Sequence, residues 1–579
     1  MKTLVYRLRT DTNAPKLEWY RNAGNLSISF EVREVSTNNI IYRKENTHLG
    51  RIVSEETANL TPGIYEANYH TQNESASEFF VVGNPDSVLQ TLLAKLSMHD
   101  TTPQAKLNID AQARRARILL SKDNYNSGNK KWGEKLAYTF SSLANIEHSL
   151  ENGVVNIAKD RPGLHIRGFI SKIDGSSQFY RFYAPSNYRP GAPLPLLVMV
   201  STRVAKARPF VAGPVMANQR EALLWAHYAE KYGFALLWPG YRSAPEGYSY
   251  ESMHIDEAIQ AVEQDYAVDK SRISAYATCG AGYNAGRLVS EYPNLFASIV
   301  YDRAVFNLVP PDKDDDVPSL AKWLKDVNPV NHVLANRNLK IFVMHDNTAP
   351  SGHGQMALTT QFLDQAKTTR TDVISSLSKQ SMKMARMDTV FSWITPCRNA
   401  SPSDTRFHAE SKAGYTGPIS EIFTTPILVV KGTHALGRDL QNSNSVAESI
   451  RKNYIKHFHG AQCAVKNDDD VTKDDIDNYS LILIGNPRTN SVWNKLQPDL
   501  AIKMTSTGVM YKNDTLAGNS AFEAIAAHPY VANKYVLMIG AWDLRSLRIP
   551  SSTLFTAWYD GLVLTSPNKI IGKLNDINN

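Results

Sequence analysis

The chain has 579 residues, of which 42% are hydrophobic and 21% are charged, which is ordinary for a folded soluble protein. This length exceeds what one compact core supports, so two to four domains are expected. The net charge is +7, but the 63 Lys and Arg residues are scattered among 56 Asp and Glu residues without a basic stripe, which argues against nucleic acid binding.

The chain contains three cysteines, Cys279, Cys397 and Cys463, and their spacing suits neither a disulfide framework nor a zinc finger. The first twenty residues show no apolar signal region, and no stretch approaches the roughly 18 apolar residues that span a membrane. These features predict a cytoplasmic protein that binds no membrane, although a mature protein without its leader would look the same.

Residues 1–83 contain short β-rich runs, at 5–8, 26–32, 40–42 and 79–82, separated by turns such as the one at 61–63. This pattern predicts a β-sandwich accessory domain. In residues 84–159, apolar side chains recur every three or four positions up to Gly153, a plausible helix stop, which predicts a helical connector.

In residues 160–395, segments with the apolar pattern of a buried strand alternate with segments that have the periodicity of a helix. Apolar runs at 196–200, 234–238, 273–276 and 339–344 predict buried strands, and helical segments are predicted at about 222–232, 255–266 and 283–291. Strict alternation favours an α/β domain with a mostly parallel sheet and helices on both faces. A stretch at 396–402 marks a boundary, and strand-then-turn runs at 426–433 and 480–487 predict a small C-terminal α/β domain over 396–579.

Several segments resemble a known superfamily. They are the opening segment at 168–188 followed by the strand at 195–200, the segment 268–273 before a tight turn, and the segment 291–297. They resemble bacterial polyhydroxybutyrate-depolymerase-like and prolyl-oligopeptidase-like hydrolases, and the resemblance covers roughly residues 84–579. It implies an α/β-hydrolase fold core, although a fold by itself does not fix an activity.

In this superfamily the nucleophilic serine occupies a Gly-x-Ser-x-Gly turn between a strand and a helix. The matching segment here is Ala-Thr-Cys-Gly-Ala at 277–281, so Cys279 stands at the serine position. A thiolate attacks acyl carbon when a base or a helix N-terminus lowers its pKa, which predicts Cys279 as a nucleophile and the Gly280 amide as an oxyanion donor. The alternative is that Cys279 is a small buried residue left after catalysis was lost.

The remaining catalytic pattern is altered. The glycine-rich oxyanion motif is replaced by residues 200–204, where Thr202 could supply a second donor. Asp346 matches the catalytic acid if part of the usual turn is deleted, or else caps the next helix. No histidine follows at 375–387, so a standard triad cannot be assembled in the usual order. His353, His408 and His254 are the substitutes, with His353 taken as the base, and the alternative for each is a surface or structural histidine.

These residues predict an enzyme that acts on an ester, thioester or peptide bond of a small-molecule or peptide substrate, without a cofactor or metal. His457 and His459 are close in sequence and could suggest a metal site, but no third metal ligand lies at suitable spacing. The alternative is a degenerate or repurposed hydrolase fold that binds a ligand or partner or performs non-hydrolytic chemistry, with Tyr241 in the loop that lines the pocket. A third hypothesis is sugar binding by aromatic residues of the N-terminal region, namely Trp19, Tyr20, Tyr65 and Tyr69. The favoured alternative is that these residues belong to the core of a domain that restricts access to the cleft. The substrate and the oligomeric state are left open.

Overall fold

A computed structural model describes the greater part of the chain. The described residues are 16–20, 27–48, 52–56, 60–70, 75–120, 130–153, 161–200, 219–240, 242, 249–278, 280–304, 339–345, 371–375, 382–405, 419–459, 461–511, 514–517, 521–547, 554–555, 561–566 and 569–574. None of the helices within these ranges is both long enough and apolar enough to cross a bilayer.

The N-terminal region forms two antiparallel sheets. A two-stranded sheet pairs β1 (Lys16–Tyr20) with β4 (Ile52–Glu56). A four-stranded sheet has the order β3-β2-β5-β6, and its strands are β2 (Ser27–Glu34), β3 (Ile40–His48), β5 (Gly63–His70) and β6 (Ser75–Val82). The strand predicted at 5–8 lies outside the described residues.

Three helices follow: α1 (Pro85–Leu96), α2 (Pro103–Leu120) and α3 (Lys130–Glu151). The Asn84 side chain caps α1 and Pro85 occupies its first turn, as expected for a helix start. The helices bury one apolar cluster against both neighbouring sheets, with Val81 on one side and Ile166 and Phe179 on the other. Gly153, the predicted helix stop, has a φ of +76° just beyond α3.

The central region is an eight-stranded sheet of order β7-β8-β10-β9-β11-β12-β13-β14, in which only β8 runs against the others. Its strands are β7 (Gly163–Ile170), β8 (Ser177–Ala184), β9 (Leu194–Val200), β10 (Ala235–Pro239), β11 (Val268–Thr278), β12 (Ser298–Asp302), β13 (Lys340–His345) and β14 (Thr371–Ser375). This strand order with one reversed strand is that of the α/β-hydrolase fold, so the predicted fold class is confirmed.

Helices cover both faces of this sheet, because alternate strand residues point to opposite sides. Helices α5 (Ser249–Asp265) and α6 (Ala281–Glu291) pack on the face that carries Leu196 and Val198. Helices α4 (Gln219–Tyr232) and α7 (Met382–Ile394) pack on the face that carries Leu197 and Met199.

The C-terminal region is a second α/β unit. Its seven-stranded sheet has the order β16-β15-β17-β22-β21-β23-β24, with the first four strands parallel. These strands are β15 (Ile427–Lys431), β16 (Ala464–Asn467), β17 (Ser480–Gly485), β21 (Ala521–Ala527), β22 (Tyr535–Gly540), β23 (Gly561–Ser566) and β24 (Lys569–Leu574).

A small antiparallel sheet in this unit consists of β18 (Ile502–Thr505), β19 (Gly508–Tyr511) and β20 (Asp514–Ala517). The α-helices are α8 (Gly437–His457), α9 (Lys473–Asn478) and α10 (Ser491–Leu496), and short 3-10 helices lie at Ile419–Thr424, Asp468–Asp470, Gln497–Asp499 and Leu544–Ser546. The boundaries 1–83, 84–159, 160–395 and 396–579 remain predictions.

Candidate active site

The strand-to-helix turn predicted to carry the nucleophile has the expected local setting. Strand β11 ends at Thr278 and α6 begins at Ala281, with Gly280 as its N-cap at φ −59° and ψ −18°. The N-cap Gly280 has no side chain to cap α6, and the first amides of the helix form a positive dipole end at this turn. Small residues on the inner face of α6, including Ala281 and Ala285, are fully buried and let the helix pack closely on the sheet.

Gly280 is the only one of the predicted site residues that the described ranges include. Cys279, Asp346 and His353, together with the proposed oxyanion and pocket residues Thr202 and Tyr241, all lie outside them. Their roles, and the oxyanion role of Gly280, therefore remain predictions.

The structure adds an acidic residue that sequence reasoning missed. Strand β12 ends at Asp302, which pairs in register with Thr278 of β11 and with Met344 of β13. Asp302 is almost fully buried, and its carboxylate accepts hydrogen bonds from the Tyr276 hydroxyl at 2.7 Å and from Arg303 Nε at 3.3 Å. A carboxylate at this edge, beside the strand that leads into the turn, is well placed to serve as a catalytic acid.

The backbone next to Asp302 is unusual. Arg303 has a φ of +52°, in the left-handed region that non-glycine residues seldom adopt, and its amide donates to the Met344 carbonyl at 2.7 Å. Such strain gathers at functional sites. The sequence signal that could have identified Asp302 is a charged residue at the end of an apolar strand, in the segment Ile-Val-Tyr-Asp at 299–302.

A histidine also reaches this edge. Strand β13 ends at His345, which pairs in register with Ser375 and directly precedes Asp346. The carboxyl ends of β11, β12 and β13 are adjacent in the sheet, so the chain brings Thr278, Asp302 and His345 to consecutive strand ends.

His254, a substitute base in the sequence interpretation, belongs to a different cluster. It is fully buried on α5, its ring lies 5.4 Å from that of Phe169, and its Nδ1 lies 3.9 Å from a Glu257 oxygen. Burial, with Arg242 and Arg114 nearby, holds the pKa of His254 well below its usual value. The imidazole is therefore neutral and occupied with packing. His408 lies outside the described residues.

Arg242, one residue beyond the predicted pocket residue Tyr241, connects this cluster to the C-terminal unit. It pairs with Asp174 at 2.5 Å and donates to Ser171 Oγ at 3.0 Å, and its guanidinium lies 5.2 Å from the centre of the Phe458 ring. The turn after β7, which carries Asp174, lies at the same edge of the sheet as the carboxyl end of β10. The C-terminal unit is thus anchored at the edge of the eight-stranded sheet where β10 and β11 end.

His457 takes part in this junction through packing. His457 stacks on Phe555 with ring centres 5.0 Å apart, and its Nε2 lies 3.3 Å from the Tyr250 hydroxyl. Burial and the Arg242 charge lower the pKa of His457 to about 4, and burial with the Arg114 charge lowers that of His459 to about 3.

A group of residues with metal-ligand atoms lies elsewhere, at the carboxyl ends of β15 and β16. Ligand atoms of His434, Asp468 and Asp469 lie within 4.8 Å of one another. The carboxylate of Asp468 accepts from the Thr433 amide at 3.0 Å and from the Ser491 amide at 2.6 Å. These bonds give Asp468 a structural role, since it joins three loops at this edge.

Tyr65, one of the residues considered for sugar stacking, cannot serve that purpose. Its side chain is fully buried, its ring lies 5.5 Å from that of Phe80, and its hydroxyl donates to the Thr61 carbonyl at 2.8 Å. It is a core residue of the four-stranded sheet, in agreement with the alternative interpretation of these aromatic residues. The side chains of Trp19, Tyr20 and Tyr69 lie outside the described residues.

Comparisons with known proteins give matches among solved structures alone. No family model matches the chain, and neither does any curated protein. An S-formylglutathione hydrolase from Staphylococcus aureus is 14% identical, with a TM-score of 0.32 over 40% of this chain and 98% of that one. An S-formylglutathione hydrolase from Agrobacterium tumefaciens is 13% identical, with a TM-score of 0.31 over 42% and 96%. A ferulic acid esterase is 12% identical, with a TM-score of 0.32 over 41% and 98%. The strand order described above, independently of these matches, identifies the fold.

Proposed function

We propose that this protein is an α/β-hydrolase-fold enzyme that cleaves an ester, thioester or peptide bond through the thiolate of Cys279. The observation that carries the proposal is the strand–turn–helix unit of β11 and α6 inside a sheet with the hydrolase strand order. Only residues 279 and 280 separate the strand from the helix. The dipole of α6 favours the thiolate over the thiol at this position.

The chemistry follows from a thiolate nucleophile. The sulfur of Cys279 attacks the acyl carbon and forms a tetrahedral intermediate, whose oxyanion accepts a hydrogen bond from the Gly280 amide. The bond to the leaving group then breaks, and the leaving group takes a proton from the protonated base. Water gives up a proton to that base as it attacks the resulting thioester, and a carboxylic acid and the free thiolate are released.

The structure supports a second acid–base pair beside the one predicted from sequence. In this fold the chain order is nucleophile, acid, histidine. Cys279, Asp302 and His345 follow this order, and the ends of their strands are adjacent. Asp346 and His353 follow the same order further along the chain. We assign the acid to Asp302, which the register of β12 brings to the edge that carries the turn, and we propose His345 as the base from the position of its backbone at the end of β13.

Selective alkylation tests the nucleophile. A limiting dose of iodoacetamide, followed by intact-mass spectrometry and peptide mapping, should modify Cys279 at least about tenfold faster than either other thiol. The other two are internal controls, because Cys397 is buried with its sulfur 3.4 Å from the Trp393 carbonyl, and burial raises the pKa of Cys463 to about 12. Equal and slow labelling of all three would reject the thiolate nucleophile.

Matched variants assign the acid and the base. Turnover of p-nitrophenyl esters and acyl thioesters should vanish in Cys279→Ala. It should fall at least a hundredfold in Asp302→Asn and His345→Ala, while Asp346→Asn and His353→Ala retain most activity. A larger loss of turnover in Asp346→Asn and His353→Ala than in Asp302→Asn and His345→Ala would restore Asp346 and His353 as the acid and the base.

A second candidate function is a binding protein built on the hydrolase fold. The observation that favours it is that Tyr276 and Arg303 already engage the carboxylate of Asp302. In that case the wild-type protein would turn over no acyl substrate, and a ligand would raise its melting temperature.

A further inference from the structure

A second concave site lies far from the strand-to-helix turn, where the helical connector meets the hydrolase sheet. The pocket has a volume of about 260 Å³ and lies between α2, the end of β7 and α5. Strand β7 is at one edge of the sheet, four strands from β11, so the pocket is on the order of 20 Å from the candidate active site. We propose that it binds a small uncharged molecule rich in hydroxyl groups, of the size of a monosaccharide.

The pocket wall is preformed by a close contact between α2 and β7. A Cβ atom on Gly168 would lie 2.6 Å from both the Leu107 carbonyl oxygen and the Ala111 Cβ, so a side chain at this position is excluded. The Gly168 amide donates to Asn108 Oδ1 at 2.9 Å. These contacts fix the helix against the strand and give the pocket a rigid side.

The lining combines apolar and polar groups, as small-molecule sites do. Apolar atoms come from Leu107, Phe169, Ile170 and Ala261. The polar side chains that line it are Gln104, Lys172, Glu257, Gln260, Gln264 and Asp265. Ile170 is 53% exposed although it is a large aliphatic residue, so an apolar surface is open at the mouth.

The two carboxylates in the lining already have protein partners. Glu257 accepts from the Lys172 amide at 2.6 Å and from Ser171 Oγ at 2.9 Å. Asp265 pairs with Arg167 at 2.7 Å, and Lys172 Nζ donates to Gln260 Oε1 at 2.8 Å. A cationic ligand would compete with the partners that Glu257 and Asp265 already have, whereas an uncharged ligand would leave these contacts in place.

Carboxamide groups remain to recognise a ligand. The side chain of Gln264 makes no hydrogen bond with the part of the chain that the structure describes, and Gln104 uses its amide nitrogen on Asn108 and the Gly168 carbonyl, at 3.3 and 3.4 Å. Each carboxamide can donate and accept, as each hydroxyl group can. A sugar-like ring has hydroxyl groups at its rim and C–H groups on its faces, which suits a lining of carboxamide and apolar groups. The volume lies just below the ~300 Å³ at which drug-sized pockets begin, which limits the ligand to about one ring.

Calorimetric titration of the full chain tests this assignment. The probes are glucose, galactose, mannose, myo-inositol and glycerol, with glucuronate and glucosamine as charged analogues. At least one uncharged probe should bind, and Gln264→Ala and Gln104→Ala should each weaken that binding about tenfold, the effect of one lost hydrogen bond. Lys106→Ala is the matched control, because Lys106 is an exposed residue of α2 that pairs with Asp110 and does not line the pocket.

The outcomes separate this site from the proposed catalysis. Cys279→Ala should retain full binding, whatever its effect on turnover. The assignment is overturned if no uncharged probe binds at millimolar concentration, or if binding survives both glutamine substitutions. It is also overturned if glucuronate or glucosamine binds more tightly than every uncharged probe. Thermal unfolding of the two glutamine variants verifies that they fold, which is expected because Gln264 is exposed and Gln104 is half-exposed.

Discussion

The hydroxyl of Tyr276 donates a 2.7 Å hydrogen bond to the buried carboxylate of Asp302 across two adjacent strands of the hydrolase sheet. The two residues are 26 positions apart in the chain and belong to strands β11 and β12. The bond connects the strand that leads into the Cys279 turn with the strand that ends in the proposed catalytic acid.

This bond predicts separate effects on stability and on turnover. Tyr276→Phe leaves a buried carboxylate without one donor and should lower the free energy of unfolding by about 1–3 kcal/mol, measured by urea denaturation. Under the proposed mechanism Asp302→Asn should lower kcat far more than Tyr276→Phe does. If both variants lose activity in proportion to their stability, the role of Asp302 is structural.

The Arg242–Asp174 pair should hold the C-terminal unit in place. Arg242→Ala leaves Asp174 without its cation and removes the guanidinium from the Phe458 ring, so it should cost about 3–5 kcal/mol of unfolding free energy. Arg451→Ala, which removes an exposed salt bridge to Glu448 on α8, is the matched control and should change stability little. Equal urea midpoints for the two variants would contradict this prediction.

Glu523 makes the stability depend on pH. It lies in the core of the seven-stranded sheet, and burial raises its pKa to about 7, from an ordinary value near 4.5. In the unfolded state the side chain loses its proton near pH 4.5, whereas in the folded state it keeps the proton up to about pH 7. Its contribution to the free energy of unfolding is therefore complete below about pH 4.5 and is lost as the pH rises to 7. Glu523→Gln should therefore stabilise the protein by about 3 kcal/mol at pH 8 and change little at pH 4, in urea titrations at both values.

Glu448 is the matched control for Glu523, because the pKa of its carboxylate is shifted in the opposite direction. Contacts with Arg451 lower the pKa of Glu448 to about 2 on the surface of α8. Glu448→Gln should therefore bring no gain at pH 8. A gain for both variants would mean that the general loss of negative charge, and not the burial of Glu523, is responsible.

The thiol of Cys463 provides a folding reporter. Burial raises its pKa to about 12, so the fraction of reactive thiolate is very small at pH 8 while the protein is folded. In urea its labelling rate with iodoacetamide should rise by orders of magnitude as the side chain regains an ordinary pKa. Fast labelling of Cys463 in the native protein would show that its surroundings are open to solvent.

The sequence by itself determined the secondary elements whose patterns are local. The apolar run at 196–200 became β9, those at 426–433 and 480–487 became β15 and β17, and the small residues around 277–282 marked the turn between β11 and α6. Such features follow from neighbouring residues, because burial on both faces of a strand or a tight turn constrains the residue types directly.

The tertiary structure alone decided which distant residues meet. Asp302 gained its place from strand register, Arg242 and Phe458 are 216 positions apart by their numbers, and the pocket wall joins α2 to β7 and α5. No local pattern marks these residues, because an aspartate at a strand end or a glutamine on a helix is common and acquires a role only from its partners. The order of strands in the sheet supplies those partners, and that order is set by packing over the whole chain.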